Sequence, residues 1–283
     1  GEGEGNGEGN GEGWCVRAAG GKSVGMGLRR VEHIMGTAVS VQLSDPLPAD
    51  RLADLAEQTF DWLREVDRRF STYREDSEVN RFHRGELSIA ECSADLRAVV
   101  DTCADLWGRT DGYFDAYATG RFDPSGYVKG WSVQVASDRL LAAGCAAHWI
   151  NAGGDIRARG GPRPGEPWRI GIRHPVEPDR VTWVLAVTDL AIATSGTYER
   201  GRHVIDPRTG QPATGLSSVT VVGPDLGAAD AYATAALAMG HAGLRWLADL
   251  PGYAGGVITD DLTAYTSSGL PVMDTKPGRP AGH

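Results

Sequence analysis

Few features of this sequence suit a membrane span, nucleic acid or a structural metal cluster. No apolar run approaches the roughly 20 residues that cross a bilayer, and no basic segment followed by an apolar one opens the chain. Basic residues are outnumbered, 28 Lys and Arg against 37 Asp and Glu. The resulting net charge of -9 argues against a broad basic face for nucleic acid or acidic membranes. Any phosphate this protein handles must therefore be met locally. Cysteine is scarce: Cys15, Cys92, Cys103 and Cys145 show no C-x-x-C spacing, which argues against a zinc cluster and fits ordinary thiols in a reducing compartment. With no signal segment and no lipobox before Cys15, a cytoplasmic protein is the expectation, or an exported one if an N-terminal segment has been removed.

Familiar catalytic signatures are missing too. There is no G-x-G-x-x-G and no G-x-x-x-x-G-K-[ST], so neither a Rossmann nor a P-loop phosphate site is expected. Thr194-Ser195-Gly196-Thr197 lacks the G-x-S-x-G elbow, and we read it as a turn in which Ser195 supplies a backbone amide.

What remains is a chain with 41% hydrophobic residues, enough for a proper core. Residues 1–27 alternate glycine with polar groups at their start and are expected to be a disordered tail; 28–276 form the folded domain, and 277–283 a second flexible tail. Alternation in Val39–Leu43 predicts a strand, and the stripe Leu52, Leu55, Ala56, Phe60, Leu63, Val66, Phe70 predicts a long amphipathic helix. Further helices are expected over Ser93–Gly108, Lys129–Leu141 and Ala228–Met239. Strands are expected at His148–Asn151, Trp168–Arg173, Val181–Thr188, Val219–Val222, Gly256–Thr259 and Thr263–Ser267. Long helices between groups of strands make the class α+β.

Asp230 and Thr234 stand four apart, which on a helix puts a carboxylate and a hydroxyl on one face, a pair suited to Mg²⁺ completed by water and phosphate. The competing reading makes Asp230 the N-cap of its helix. His203 precedes the turn Asp206-Pro207-Arg208-Thr209-Gly210 and is a candidate general base or phosphate contact. Lys129, followed by Gly130 near a helix start, offers a cation beside free backbone amides; a solvated surface lysine is the alternative. Tyr73 and Tyr113 could stack on an aromatic ligand or sit in the core.

Taken in order, these segments resemble the ApbE family, the FAD:protein FMN transferases. The resemblance rests on Met35-Gly36-Thr37, Phe70-Ser71-Thr72-Tyr73, Asp76-Ser77-Glu78, Gly112-x-Phe114-Asp115, Asp123 to Gly130, Asn151-Ala152-Gly153-Gly154-Asp155, Thr194-Ser195-Gly196, His203-x-Ile205-Asp206-Pro207-x-Thr209-Gly210 and Ala229-Asp230-Ala231-x-Ala233-Thr234. It implies an ApbE-like, T-fold-like architecture and an enzyme that moves the FMN part of FAD onto a Thr or Ser hydroxyl of a target flavoprotein, releasing AMP. It also implies Mg²⁺ at Asp230, Thr234 and the Gly126 carbonyl. FAD contacts are implied at Met35, Tyr73, Asp115, Ala116, Tyr117, Asp123, Lys129 and Ile205, and catalysis at His203. The sequence departs from the family between Asp115 and Asp123, where only a handful of residues replace a longer segment. Two other activities would use the same site: FAD pyrophosphatase chemistry with water as nucleophile, and FAD binding without turnover. Asp230 is expected to face the surface, so that its replacement by alanine would spare the fold.

Overall fold

The computed structural model describes residues 27–177, 179–197 and 204–273. The expected tails, apart from Gly27, as well as Cys15 and His203, lie outside the described residues. In chain order the elements are β1 (Leu28–Ile34), β2 (Thr37–Leu43), α1 (Ala49–Phe70), α2 (Glu78–His83), α3 (Ala94–Arg109), α4 (Ser125–Ala142), β3 (His148–Ala152), β4 (Asp155–Arg159), β5 (Trp168–Arg173), β6 (Val181–Val187), β7 (Ala191–Gly196), β8 (Ile205–Asp206), β9 (Gln211–Pro212), β10 (Leu216–Gly223), α5 (Leu226–Ala238), α6 (His241–Ala248), β11 (Ala254–Thr259) and β12 (Ala264–Thr266). Among the described residues no helix is long and apolar enough to cross a membrane.

Eight strands form one antiparallel sheet in the order β1-β2-β3-β4-β7-β10-β11-β12. Two of its hairpins turn on residue pairs with positive φ: Met35 and Gly36 (55° and 72°) between β1 and β2, and Gly153 and Gly154 (57° and 99°) between β3 and β4. Such φ values match the strand twist, and glycine adopts them at low cost; Met35 is a non-glycine exception. The turns lie side by side, since a Cβ on Gly153 would stand 2.6 Å from Thr37 Oγ1.

The two faces of the sheet differ. The paired strands β5 and β6 cover one face, closing an apolar core of Trp149, Ile156, Trp168, Ile170, Ile172, Leu185 and Ile192. The helices cover the other. The predicted stripe of α1 is buried, from Leu52 to Phe70, and α4 and α5 lie across β3, β4, β7 and β10. α4 and α5 approach closely because glycines line their contact: a Cβ on Gly130 would meet the Leu226 carbonyl oxygen at 2.5 Å, and one on Gly227 would meet Tyr127 at 2.7 Å. This crossing sets the depth of the site.

Cys92, Cys103 and Cys145 are free and buried, and burial pushes the Cys103 and Cys145 thiols up to about 12. They are core residues in the sense that the sequence suggested.

Candidate active site

A cavity of about 930 Å³ opens between the N-terminus of α4, the start of α5's second turn, the end of β7 and the segment 70–73. That volume is at the large end for a ligand site. Nearly every residue picked out from the sequence lies on its wall: Met35, Tyr73, Asp115, Ala116, Asp123, Gly126, Lys129, Ile205, Asp230 and Thr234. Tyr117 does not. Its backbone N–H closes a turn onto Asp115 Oδ1 at 2.7 Å, and its ring packs on Phe122, 5.2 Å between centroids, outside the cavity.

α5 brings the acidic group into place. The helix is buried along nearly all of its length and is rich in alanine, so its N-cap is not the first Asp of an apolar stripe but Asp225, whose Oδ1 accepts the Ala228 N–H at 2.7 Å. The N-cap reading of Asp230 is therefore corrected, and so is its expected surface position. Asp230 is 4% exposed and its Oδ2 accepts the N–H of Gly130 at 3.1 Å. In a regular helix that N–H would serve the Gly126 carbonyl. Thr234, one turn on, stands 3.3 Å from Ser195 Oγ, and a Cβ on Gly126 would lie 3.3 Å from Thr234 Oγ1. Burial, then the neighbouring Asp155, holds the Asp230 carboxyl well above the usual carboxylate range, while Lys129 acts in the other direction.

Thr194-Ser195-Gly196 is not a turn. It ends β7, paired with Ser218, Val219 and Thr220 of β10, so the strand presents the Ser195 hydroxyl, rather than a turn amide, to Thr234. Asp155, quoted in the Gly-Gly-Asp motif but given no role, is fully buried at the start of β4. Its Oδ1 accepts the Thr194 N–H at 3.2 Å, and its Oδ2 stands 2.7 Å from Lys129 Nζ. Lys129 is thus not a solvated surface lysine: its side chain is only 21% exposed. No local signal marks Asp155, since Asp-Ile-Arg-Ala-Arg alternates polar and apolar residues as a solvent-facing strand does, whereas here the polar side lies under α4.

The Asp206 to Gly210 turn forms as its residues demand, with Gly210 at φ 66° and its N–H bonded to the Asp206 carbonyl at 2.8 Å. Arg208 ties this β8–β9 hairpin to the opposite wall, its guanidinium 4.3 Å above the Tyr113 ring and paired with Asp111. At the other rim Tyr73 is 89% exposed, an aromatic ring held at the cavity mouth without a core to bury it.

With this geometry in place the comparisons are informative. The model of the ApbE family matches residues 35–120 and 117–257. The chain belongs to the ApbE family. The two matched parts of this family member meet in the short connection after Asp115, where Asp123 N–H bonds to the Ala116 carbonyl at 2.7 Å. A relative from Vibrio cholerae serotype O1, named FAD:protein FMN transferase, is 31% identical over 238 residues, 63% of this chain and 71% of that protein. The solved flavin transferase ApbE of Vibrio cholerae superposes with a TM-score of 0.72 at 29% identity, over 86% of this chain and 97% of its own. The ApbE protein of Thermotoga maritima gives 0.77 at 22% identity, over 86% and 97%, a likeness of fold. The α+β class expected from the sequence is the observed one.

Proposed function

We propose that this chain is an FAD:protein FMN transferase: it moves the FMN part of FAD, with Mg²⁺ present, onto a Thr or Ser hydroxyl of an acceptor flavoprotein and releases AMP. The observation that carries this reading is the convergence of Asp230, Thr234, Gly126 and Lys129 on one wall of a cavity large enough for a dinucleotide, in a chain whose relatives bear that name.

The donors present suit magnesium. Asp230, Thr234 and the nearby Ser195 offer hard oxygen atoms, and among the described residues no group of three or more His, Cys, Asp or Glu converges as a transition metal would require. Asp230, Thr234 and the Gly126 carbonyl would hold the cation, with water and phosphate filling the rest of its shell. When bound, it would supply charge neutralisation at the phosphoryl oxygens.

The chain's own residues do the remaining work. Lys129 and the N-terminus of α4, where Ser125 and Gly126 line the cavity and the Ser125 N–H is itself taken by Asp123 Oδ1 at 3.0 Å, place positive charge at the pyrophosphate. Tyr73, Met35 and Tyr113 give apolar surface to the ring systems. The acceptor oxygen attacks the FMN phosphorus, the bond from that phosphorus to the bridging oxygen breaks, and AMP leaves with that oxygen. His203, adjacent in sequence to Val204 on the wall, takes the hydroxyl proton.

Intact-mass spectrometry of candidate acceptor flavoproteins incubated with the protein, FAD and Mg²⁺ tests the proposal. An acceptor carrying covalent FMN, with AMP formed in equal amount, is expected. AMP without an adduct would replace transfer by FAD hydrolysis, and bound FAD left intact would replace both by a binding role.

A further inference from the structure

Asp155 is fully buried and does not line the cavity, yet it reaches three parts of the site: the Thr194 N–H at 3.2 Å, the Lys129 ammonium at 2.7 Å and the neighbourhood of Asp230. The carboxylate is thus held from two sides, its Oδ1 by the β7 backbone and its Oδ2 by the ammonium, with the Asp230 carboxyl beside it. A buried ion pair of this kind gives little or no net stability over an apolar pair of similar volume. Stability therefore does not account for it.

Lys129 does line the cavity, on the first turns of α4, and a lysine on a flexible four-carbon stem ordinarily carries its ammonium out to water. Here the stem turns inward, toward a carboxylate on β4 that is itself fixed by the β7 backbone. We propose that Asp155 is a positioning residue for the transfer reaction, acting through Lys129: it holds the ammonium at the depth of Asp230 and Thr234, where it meets the pyrophosphate of FAD rather than solvent. The proposal rests on the reading of the cavity as the FAD site.

A double-mutant cycle separates this role from a structural one. Asp155→Asn keeps the shape and an acceptor for Thr194; Lys129→Met removes the ammonium. Dissociation constants for FAD, read by flavin fluorescence with Mg²⁺ present, are expected to rise about tenfold in each single variant, with the double variant no worse than Lys129→Met alone. KM for FAD should follow the same pattern more strongly than kcat. Should Asp155→Asn fail to fold because it leaves the ammonium without its partner, the double variant, which removes both members of that pair, should fold and bind FAD as Lys129→Met does. Undiminished loss on adding Asp155→Asn to Lys129→Met would overturn the proposal, as would an Asp155→Asn protein with wild-type FAD affinity and only a lower melting temperature. A wild-type protein that binds no FAD would instead overturn the reading of the cavity itself, and this role with it.

Discussion

Two charge clusters sit on the helical side of the same sheet and differ in almost every physical respect. On β1 and α1, Arg30, Glu32, Glu57, Asp61 and Arg64 form a network of contacts mostly near 2.9 Å, with every member between a quarter and two thirds exposed. Arg64 and then Arg30, hydrogen-bonded to Glu57, hold its carboxyl below the usual range. Water keeps most of its hold on these groups, so forming the network costs little and contributes little. Under α4 and α5, Lys129, Asp155 and Asp230 pair out of water, two of them at 4% exposure or less. Desolvation is costly there, and the pairing offsets it only in part. Charge placed cheaply serves solubility and local order; charge placed at a cost marks where the protein handles other charges.

The largest expected effect falls on the buried cluster. Asp230→Asn removes the carboxylate without changing its shape, and Mg²⁺-dependent release of AMP from FAD should fall by about a thousandfold or more, the order of several kcal/mol of charge stabilisation. A variant retaining a tenth of wild-type turnover would show that the carboxylate is not a metal ligand.

His148 tests whether burial alone makes a group costly. It lies under α4 with Nε2 2.8 Å from Ser137 Oγ and Nδ1 2.9 Å from the Cys145 carbonyl, and burial lowers its pKa to about 4. A depressed value means that its contribution is present above the unfolded value near 6.5 and is lost as pH falls through about 4. Between pH 7.5 and 4.5 the urea midpoint should therefore drop by the equivalent of about 2–3 kcal/mol from this group. His148→Gln should flatten that part of the profile; an unchanged slope would show that the imidazole titrates normally.

The helix crossing comes next. Gly130→Ala places a methyl 2.9 Å from Asp230 Cβ and 2.5 Å from the Leu226 carbonyl oxygen, so α4 and α5 must part. A loss of about 1–3 kcal/mol is expected in chemical denaturation, together with weaker Mg²⁺ binding, because Asp230 moves with α5. Stability at the wild-type level would mean that the close approach does not constrain the site. Smallest of all, Arg64→Ala should leave the urea midpoint within measurement error at about 1 M salt, where exposed pairs are screened. A salt-independent loss would place that network with the buried cluster and erase the distinction.

How much of this was legible in the sequence follows the same division. α1 shows a stripe from Leu52 to Phe70 because one face meets water, and the strands from Trp168 and Val181 announce themselves by β-branched and aromatic residues. β1 leaves little signal because Leu28–Ile34 is an edge strand with polar groups at most positions, and β4 because the side it turns to the helices carries Asp155, Arg157 and Arg159. β7 reads as a turn because Thr194-Ser195-Gly196 is short and small. α5 has no polar face at all, so periodicity could not distinguish a cap from an inward ligand at Asp230. The ordered motifs mark most of the cavity wall, Tyr117 excepted; the contacts that give Asp155 and Ser195 their places are long-range and leave no local trace.

The contrast between the two clusters reduces to one measurement: the melting temperatures of wild type and Asp230→Asn at neutral pH, with and without Mg²⁺. Because burial raises the Asp230 pKa, its contribution to the cation-free protein is present below the unfolded value and lost as pH rises through the raised one. At neutral pH the carboxyl of the cation-free protein is therefore a load, which a bound cation would relieve. The account predicts that Asp230→Asn melts higher than wild type without Mg²⁺ and does not respond to it, while wild type rises on adding Mg²⁺. An Asp230→Asn protein that melts lower than wild type without Mg²⁺, or that gains as much from Mg²⁺, would contradict it.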